Sequence, residues 1–318
     1  MRFMTLRSTM IVGCVIGVIG CAAEDPAELE GASAEPADPS IRRDCADGAG
    51  PCVVSGVAVS APDDAEAGGF AGVLPTQYPF WVLQLNLCNS GFAGCYQGGQ
   101  SIPEGSTVIR NNAPDVVTLN EICENDVPQL ASTLANVYSG STVVWAFKAA
   151  VDRRTGGPYK CKNGQSYGIG LLAHIPGTYS GYATYSGVYS SQDTSSNEER
   201  VWVCVAATGN YYACTTHLAS TSGSVALNQC KYLMNTAIPS VRSSAGGYRP
   251  TVMGGDLNLK YGGWPYDAQS CVPSGYFRKG DGDVQHIMAT TDFTFSSSKK
   301  ISMTYTDHPG WFVALTAP

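Results

Sequence analysis

Two β-sheets packed face to face, with helices on their outer faces, are the fold class the sequence predicts for residues 78–318. Two observations carry it. Short apolar, β-branched runs outnumber helical patterns, which fall between them with no internal repeat. Five segments also place Asn, Asp, Glu or His at the end of such a run: Leu85-Asn86-Leu87-Cys88-Asn89, Leu119-Asn120-Glu121, Thr215-Thr216-His217-Leu218, Gly254-Gly255-Asp256-Leu257-Asn258-Leu259 and Thr306-Asp307-His308-Pro309. A polar side chain at the end of a buried strand must face a cleft or find a partner. Five such endings in order predict one site gathered at the ends of several strands.

Residues 1–21 read as an export signal. Arg2 and Arg7 precede an apolar stretch from Met10 to Gly20, too short to span a bilayer. Its Val18-Ile19-Gly20-Cys21 ending resembles the bacterial lipobox, which implies a lipid on Cys21; an ordinary cleaved signal is the alternative. Residues 22–77 are rich in Ala, Glu, Asp, Pro and Gly and read as a tether, with Cys45 and Cys52 close enough to close a small loop. The formal net charge of −7 belongs to this segment, which holds eleven acidic side chains against two arginines, whereas residues 78–318 hold fifteen of each sign. A neutral domain lends no support to a DNA binder that relies on a broad basic surface, but it does not exclude a nuclease that engages phosphate through a metal.

Within 78–318, Pro79 to Cys88 reads as the first strand and 101–112 as a helix. Pro114-Asp115 opens a strand from Val116 to Leu119, and Asn125 or Asp126 caps a helix running to about Tyr138. Strands follow near 142–148, 167–175, 200–207 and 211–217. A helix from Gly223 to Ile238 carries Val225, Leu227, Leu233 and Met234 on its apolar positions, and strands return at 251–255, 285–290, 301–304 and 311–316. Ten cysteines lie beyond Cys21, without a C-x-x-C pair and without zinc-type histidine spacing, so they read as up to five disulfides in an oxidising compartment. Folding Val201–Ala207 and Tyr211–His217 about Gly209 places Cys204 opposite Cys214.

The five strand endings, in this order over about Pro79 to Thr316, resemble the endonuclease/exonuclease/phosphatase superfamily, the DNase I-like phosphodiesterases. The resemblance implies an α/β (α+β) four-layer sandwich of two mostly antiparallel sheets with helices outside. Phosphate-ester cleavage needs a metal to neutralise developing charge, a base to prepare the nucleophile and donors to the oxygens. Magnesium prefers oxygen ligands. By resemblance, Asn86, Glu121 and Asp307 hold Mg2+ (alternatively Mn2+ or Ca2+), Asp256 aligns or deprotonates the attacking water and Asn258 holds a phosphate oxygen. His308 is then the general base, and His217 donates a hydrogen bond to the scissile phosphate. Arg200 stands where relatives often place a substrate-facing Arg, or is a solvated strand end. His174 reads as a turn residue, and His286 has no role.

One position departs from the pattern. The family normally carries an Asp in the strand before the last motif; here that strand reads Val284-Gln285-His286-Ile287-Met288. Either His308 is supported differently, or Asp283 takes over after a local shift, or activity is weakened. Asp283 would point to the opposite strand face, which favours Gln285 as substitute ligand or orienter. The resulting expectation is a monomeric, exported, lipid-anchored or secreted endonuclease or phosphodiesterase acting on DNA or RNA. Alternatives are a sphingomyelinase-like phospholipase C or phosphoinositide phosphatase acting on phospholipid, against which no exposed aromatic cluster is evident, and a weakened binding protein on the same scaffold.

Overall fold

The computed structural model describes residues 52–53, 58–60, 77–176 and 181–318. The expected export signal, Cys21, Cys45 and most of the expected tether lie outside them. Two strands within 22–77 are described, β1 (Cys52–Val53) and β2 (Ala58–Ser60). They are followed by β3 (Tyr78–Asn86), β4 (Val116–Cys123), β5 (Thr142–Ala149), β6 (Val151–Asp152), β7 (Tyr167–Ile175) and β8 (Tyr182–Val188). Next come β9 (Glu198–Glu199), β10 (Val201–Ala207), β11 (Tyr212–His217), β12 (Thr251–Asp256), β13 (Tyr276–Gly280), β14 (Gln285–Thr290), β15 (Thr294–Ile301) and β16 (Gly310–Ala317). Four helices interleave: α1 (Ser101–Asn112), α2 (Asp126–Val137), α3 (Gly223–Tyr232) and α4 (Ile238–Ser244).

One seven-stranded sheet has the order β1-β8-β10-β11-β12-β14-β13 and the other β15-β16-β3-β4-β7-β5-β2. Each contains one parallel pair, β11 with β12 and β3 with β4. The other pairings in both sheets are antiparallel. The period of two sorts each strand between layers. Phe80 and Val82 of β3 join Val116, Leu171, Val203, Val205, Val252 and Ile287 in a core between the sheets. The alternate residues Leu83 and Leu85 pack outward with Ile109, Leu130 and Leu134 of α1 and α2. On the opposite side Cys204, Cys214 and Met253 pack outward with Ala226, Leu233 and Val241 of the α3–α4 region. Helix, sheet, sheet, helix is the four-layer sandwich the sequence predicts.

Towards one end of the sandwich the inward positions turn polar. Along β3 the inner face runs Val82, Gln84, Asn86; along β4, Val116, Thr118, Asn120; along β12, Val252, Gly254, Asp256; along β11, Ala213, Thr215, His217, all of them buried. Each buried Val or Leu contributes about 1.5–3 kcal/mol, so a polar inner layer forgoes several such gains and marks a working end. Gly254 is required there: an ideal Cβ on it would lie 2.6 Å from Thr118 Oγ1 of the facing sheet. The sequence suggests a tight strand exit for this glycine, but its structural task is close approach of the sheets beneath the site.

Several strands escape the pattern reading. It does not mark β1, β2, β6, β8, β9 and β13, and β15 ends at Ile301, where a strand over 301–304 is expected. β15 is exposed along most of its length and reads Thr-Phe-Ser-Ser-Ser-Lys-Lys-Ile, an edge strand whose lysines discourage further pairing. The helix expected over 223–238 is interrupted by a π-turn at Leu233–Ala237, where the Ile238 N–H bonds Leu233 O. Pro239 lacks the N–H for a regular i→i−4 bond, and the wider turn absorbs the loss. Cys204 sits opposite Cys214 and is bridged to it, as expected. Three further disulfides join Cys88 to Cys95, Cys123 to Cys161 and Cys230 to Cys271.

Candidate active site

The polar strand ends open on a cleft of about 350 Å³ whose lining includes Glu121, Glu198, Arg200, His217, Asp256, Asn258 and His308. At its floor Asn86 Nδ2 donates to Glu121 Oε1 and to Asp256 Oδ2, each at 3.1 Å, bracing two carboxylates from opposite sheets. Its own Oδ1 accepts from the Cys88 N–H at 3.2 Å. Asn86, expected as a metal ligand, therefore turns its NH2 group towards the two carboxylates and braces Glu121, another expected ligand, against Asp256, expected to align the attacking water. Burial raises the pKa of Glu121, against the opposing Asn86 hydrogen bond and Arg200 charge. Burial likewise raises Asp256, against the nearby His308. Two desolvated carboxylates facing one cleft form an all-oxygen donor set that a hard divalent cation fits, and its charge would relieve the desolvation.

Two of these side chains sit on strained backbone. Glu121 has φ 54° and Asn258 φ 50°, left-handed values that non-glycine residues adopt at a cost of roughly 1–3 kcal/mol. At Glu121 the β4–β7 register slips between Leu119 and Ile122, which releases the carboxylate from strand alternation. Asn258 lies beyond β12; its N–H caps Asp256 Oδ1 at 3.0 Å and its Nδ2 donates to Leu218 O at 2.9 Å. The expectation that Asp256 and Asn258 share one strand face gives way to this turn, which still returns Asn258 to the cleft.

Arg200 is buried beside the cleft, not a solvated strand end. Its Nη1 reaches Glu198 Oε1 at 2.7 Å and His217 Nδ1 at 2.9 Å. A guanidinium can only donate, so His217 Nδ1 must carry the lone pair and Nε2 the proton. Burial and the Arg200 charge push the His217 pKa well down, and His308 adds to the effect. His217 is thus a neutral ring holding an N–H for the cleft. Glu198, a carboxylate the sequence does not single out, fixes the Arg200 end; its only signal is the Glu-x-Arg spacing at a strand start.

His308 enters from the loop before β16. Its Nε2 lies 3.6 Å from Asp256 Oδ2 and 3.8 Å from Asp307 Oδ1. Thr306 steers this loop by donating to Asn86 O at 2.9 Å. Asp307 stands at the rim, its side chain 58% exposed. Ligand atoms of Asp307, Cys88 and Cys95 approach within 4.8 Å of one another, but the cysteines are joined as a disulfide. A disulfide sulfur is not a thiolate ligand, so Asp307 supplies the charged donor of that group.

Gln285 is not in the cleft. It is fully buried beneath it, opposite Asp256 in the β12–β14 register. Its Nε2 donates to Pro309 O at 2.6 Å and towards Asp281 Oδ2 at 3.4 Å, and its Oε1 accepts from Gln84 at 3.4 Å. Gln84 also donates to Asn120 Oδ1 at 2.7 Å, which accepts the Asp256 N–H. Gln285 thus holds the backbone next to His308 and does not touch the imidazole. Asp283 pairs with Lys260 at the surface and does not replace it. His174 is no turn residue: it lies in β7, paired with Asp115 at 3.0 Å and stacked on Tyr138. His286 is buried, its Nε2 on Leu259 O and its Nδ1 beside Arg278.

The surface corrects one expectation. Exposed aromatics do gather on loops that follow site strands: Phe92 after β3, and Tyr261, Trp264 and Tyr266 after β12, with Trp264 93% exposed.

No family model matches the chain, and no curated protein matches it in sequence. Solved structures match it in fold. An endonuclease/exonuclease/phosphatase family protein from Bacteroides thetaiotaomicron aligns with TM-score 0.53 at 13% identity, over 77% of this chain and 100% of that one. A protein of the same description from Beutenbergia cavernae aligns at 0.52 and 18%, over 74% and 71%. One from Bacteroides vulgatus aligns at 0.51 and 15%, over 75% and 98%. The fold is that of the endonuclease/exonuclease/phosphatase superfamily.

Proposed function

We propose that this chain is a divalent-metal-dependent phosphodiesterase acting outside the cytoplasm, with nucleic acid as its substrate. One observation carries the reading: Glu121 and Asp256, from different sheets, are drawn to a single amide within a cleft that also receives His217, Asn258 and His308. Glu121 and Asp256 would hold Mg2+ (or Mn2+ or Ca2+), with Asp307 reaching in from the rim. A bound cation would neutralise charge on the phosphate oxygens. His217 Nε2–H donates to a phosphate oxygen, its tautomer set by Arg200. Asn258 holds a second oxygen through the Nδ2 hydrogen not used by Leu218. His308, beside Asp256, takes the proton of the attacking water, and the carboxylate stabilises the resulting imidazolium. The disulfides support an extracytoplasmic location. A lipid on Cys21, a monomeric state and the segment boundaries at 21 and 77 belong to the same proposal.

The exposed Trp264 loop favours a second reading, hydrolysis of a phospholipid headgroup at a membrane surface, because aromatic side chains settle at lipid–water interfaces. Cleavage of plasmid DNA, RNA and sphingomyelin vesicles with Mg2+, each beside a His308→Ala control, separates the readings. Cleavage of nucleic acid alone sustains the first, and cleavage of vesicles alone replaces it with the second. Neither activity, in a protein that still binds Mg2+, points to a binding protein on this scaffold.

A further inference from the structure

One short loop ties the floor of the cleft to a disulfide. Residues 88–95 are closed by the Cys88–Cys95 bridge, and Ser90, Phe92 and Ala93 within the loop line the cleft. At the start of this loop two backbone N–H groups reach the residues of the floor. Cys88 donates to Asn86 Oδ1 at 3.2 Å, and Asn89 donates to Glu121 O at 2.7 Å. The first bond fixes which way the Asn86 amide faces, and so keeps its NH2 group on Glu121 and Asp256. Cys88 itself sits at φ 45°, a left-handed conformation that a non-glycine residue keeps only where its surroundings hold it. The covalent link to Cys95 is one such hold. Accessibility sets this bridge apart from the other described ones. Cys95 is partly exposed, whereas Cys123, Cys161, Cys204, Cys214, Cys230 and Cys271 are each no more than 3% exposed.

We infer that the Cys88–Cys95 bridge is a redox-sensitive latch on the cation site: formed, it holds Asn86 and Glu121 in place, and opened by a dithiol, it releases them. The inference rests on the cation-binding reading of the cleft. An exposed disulfide is the one a reductant reaches first. A thiolate of the dithiol attacks Cys95 Sγ, and the Cys88 sulfur leaves and takes up a proton. The second thiol of the reagent then attacks the mixed disulfide, which yields a cyclic disulfide and the Cys95 thiol. The dithiol thus gives up two electrons and two protons, and the two cysteines gain them. Cys88 then relaxes out of the left-handed region and carries its N–H away from Asn86 Oδ1. The unpinned amide turns and withdraws the donor that Glu121 and Asp256 share, so the two carboxylates are no longer held ready for a cation. The pair is not built as a thiol catalyst. The Asp307 carboxylate lies within 4.8 Å of both sulfurs and disfavours a thiolate there.

Mn2+ binding, followed by electron paramagnetic resonance, tests this without relying on turnover. Brief treatment with dithiothreitol, removed afterwards under argon, should free two thiols, and peptide mapping after iodoacetamide labelling should place them at Cys88 and Cys95. The dissociation constant for Mn2+ should then rise about tenfold, the scale on which losing a group that orients metal ligands weakens a site, and reoxidation should restore it. The double variant Cys88→Ser/Cys95→Ser should bind as weakly as the reduced protein and ignore dithiothreitol. The double variant Cys204→Ser/Cys214→Ser, which loses a bridge away from the cleft, should bind as tightly as the parent. Unchanged affinity after reduction, an equal loss in both double variants, or another bridge opening first overturns the inference. If the oxidised wild type binds no Mn2+, the cation reading of the cleft has failed, and hydrogen exchange at the Cys88 and Asn89 amides then decides the latch. Faster exchange at both amides on reduction sustains it, and unchanged exchange removes it.

Discussion

The arginine at 200 converts a strand-end histidine into a donor of fixed polarity. Because Arg200 occupies His217 Nδ1, replacing it with Gln should lower kcat about 10–100-fold, on the scale of losing a partner that orients a functional histidine, with less effect on KM. A rise in KM alone would place Arg200 in substrate binding. The sequence marks the position, but its ambiguity between cleft and solvent is resolved only by the neighbouring Glu198 and His217. Gln285 illustrates the reverse. An Asp there would lose the donor to Pro309 O and face Asp281 in a dry site. Gln285→Asp is therefore expected to lower the stability of this chain by about 2–4 kcal/mol, measurable by urea unfolding at pH 7. A fully stable variant would show that the local network rearranges. His286 makes the pH dependence concrete. Burial, with Arg278 opposing the charged form and the Leu259 carbonyl partly favouring it, brings its pKa from 6.5 down to about 4. The neutral ring's stabilising contribution is full above pH 6.5 and is lost as pH falls towards 4. At roughly 1.4 kcal/mol per pKa unit, this is about 3 kcal/mol. The raised carboxylates Glu121 and Asp256 have the opposite sign, favouring the metal-free fold as pH falls, so the residue's share is read by difference. His286→Gln, which can keep a donor to Leu259 and an acceptor for Arg278, should flatten the loss of stability between pH 6.5 and 4 by that amount. An unchanged slope would show that His286 titrates normally.

Among the elements, the central strands are legible because continuous apolar, β-branched runs mark strands buried on both faces: β3, β4, β7, β10, β11, β12, β14 and β16 all fall close to their expected positions. The edge strands β13 and β15 are not, since an edge strand needs no apolar face and β15 has almost none. The left-handed turn at Glu121 is also invisible, because Glu carries no glycine-like signal, whereas Asn258 is of a type that tolerates that conformation and is masked by its period-two spacing from Asp256. The pairing of Cys204 with Cys214 followed from hairpin symmetry, whereas the other three bridges join segments whose proximity only the fold creates. Removing the Cys204–Cys214 bridge by a double Ser substitution should cost about 2–4 kcal/mol with kcat little changed, since it lies on the outer face of its sheet, away from the cleft. A large loss of kcat at full occupancy of the folded state would contradict that placement. Gly254→Ala tests the close approach of the sheets. It should destabilise by about 1–3 kcal/mol through overpacking against Thr118, and Thr118→Ala should recover part of the loss.

On the scale of the whole molecule, the inner core changes character along the sandwich, apolar through most of its depth and polar at the end where β3, β4, β11 and β12 bring Asn86, Glu121, His217 and Asp256 together. The parallel pairs β3–β4 and β11–β12 place the ends of consecutive strands side by side, which is why residues distant in sequence meet in one cleft. The central claim is that this polar end binds a divalent cation to cleave phosphodiesters. The most direct test is the rate of bis(p-nitrophenyl) phosphate hydrolysis as a function of Mg2+ concentration, for the wild type and for Glu121→Gln. The wild type should show saturable activation by Mg2+ and none in EDTA. Glu121→Gln should require much more Mg2+ and lose most of the rate, while unfolding within about 1 kcal/mol of the parent, as expected for a substitution that creates no cavity or unpaired charge. Identical Mg2+ curves for the two proteins would contradict the account.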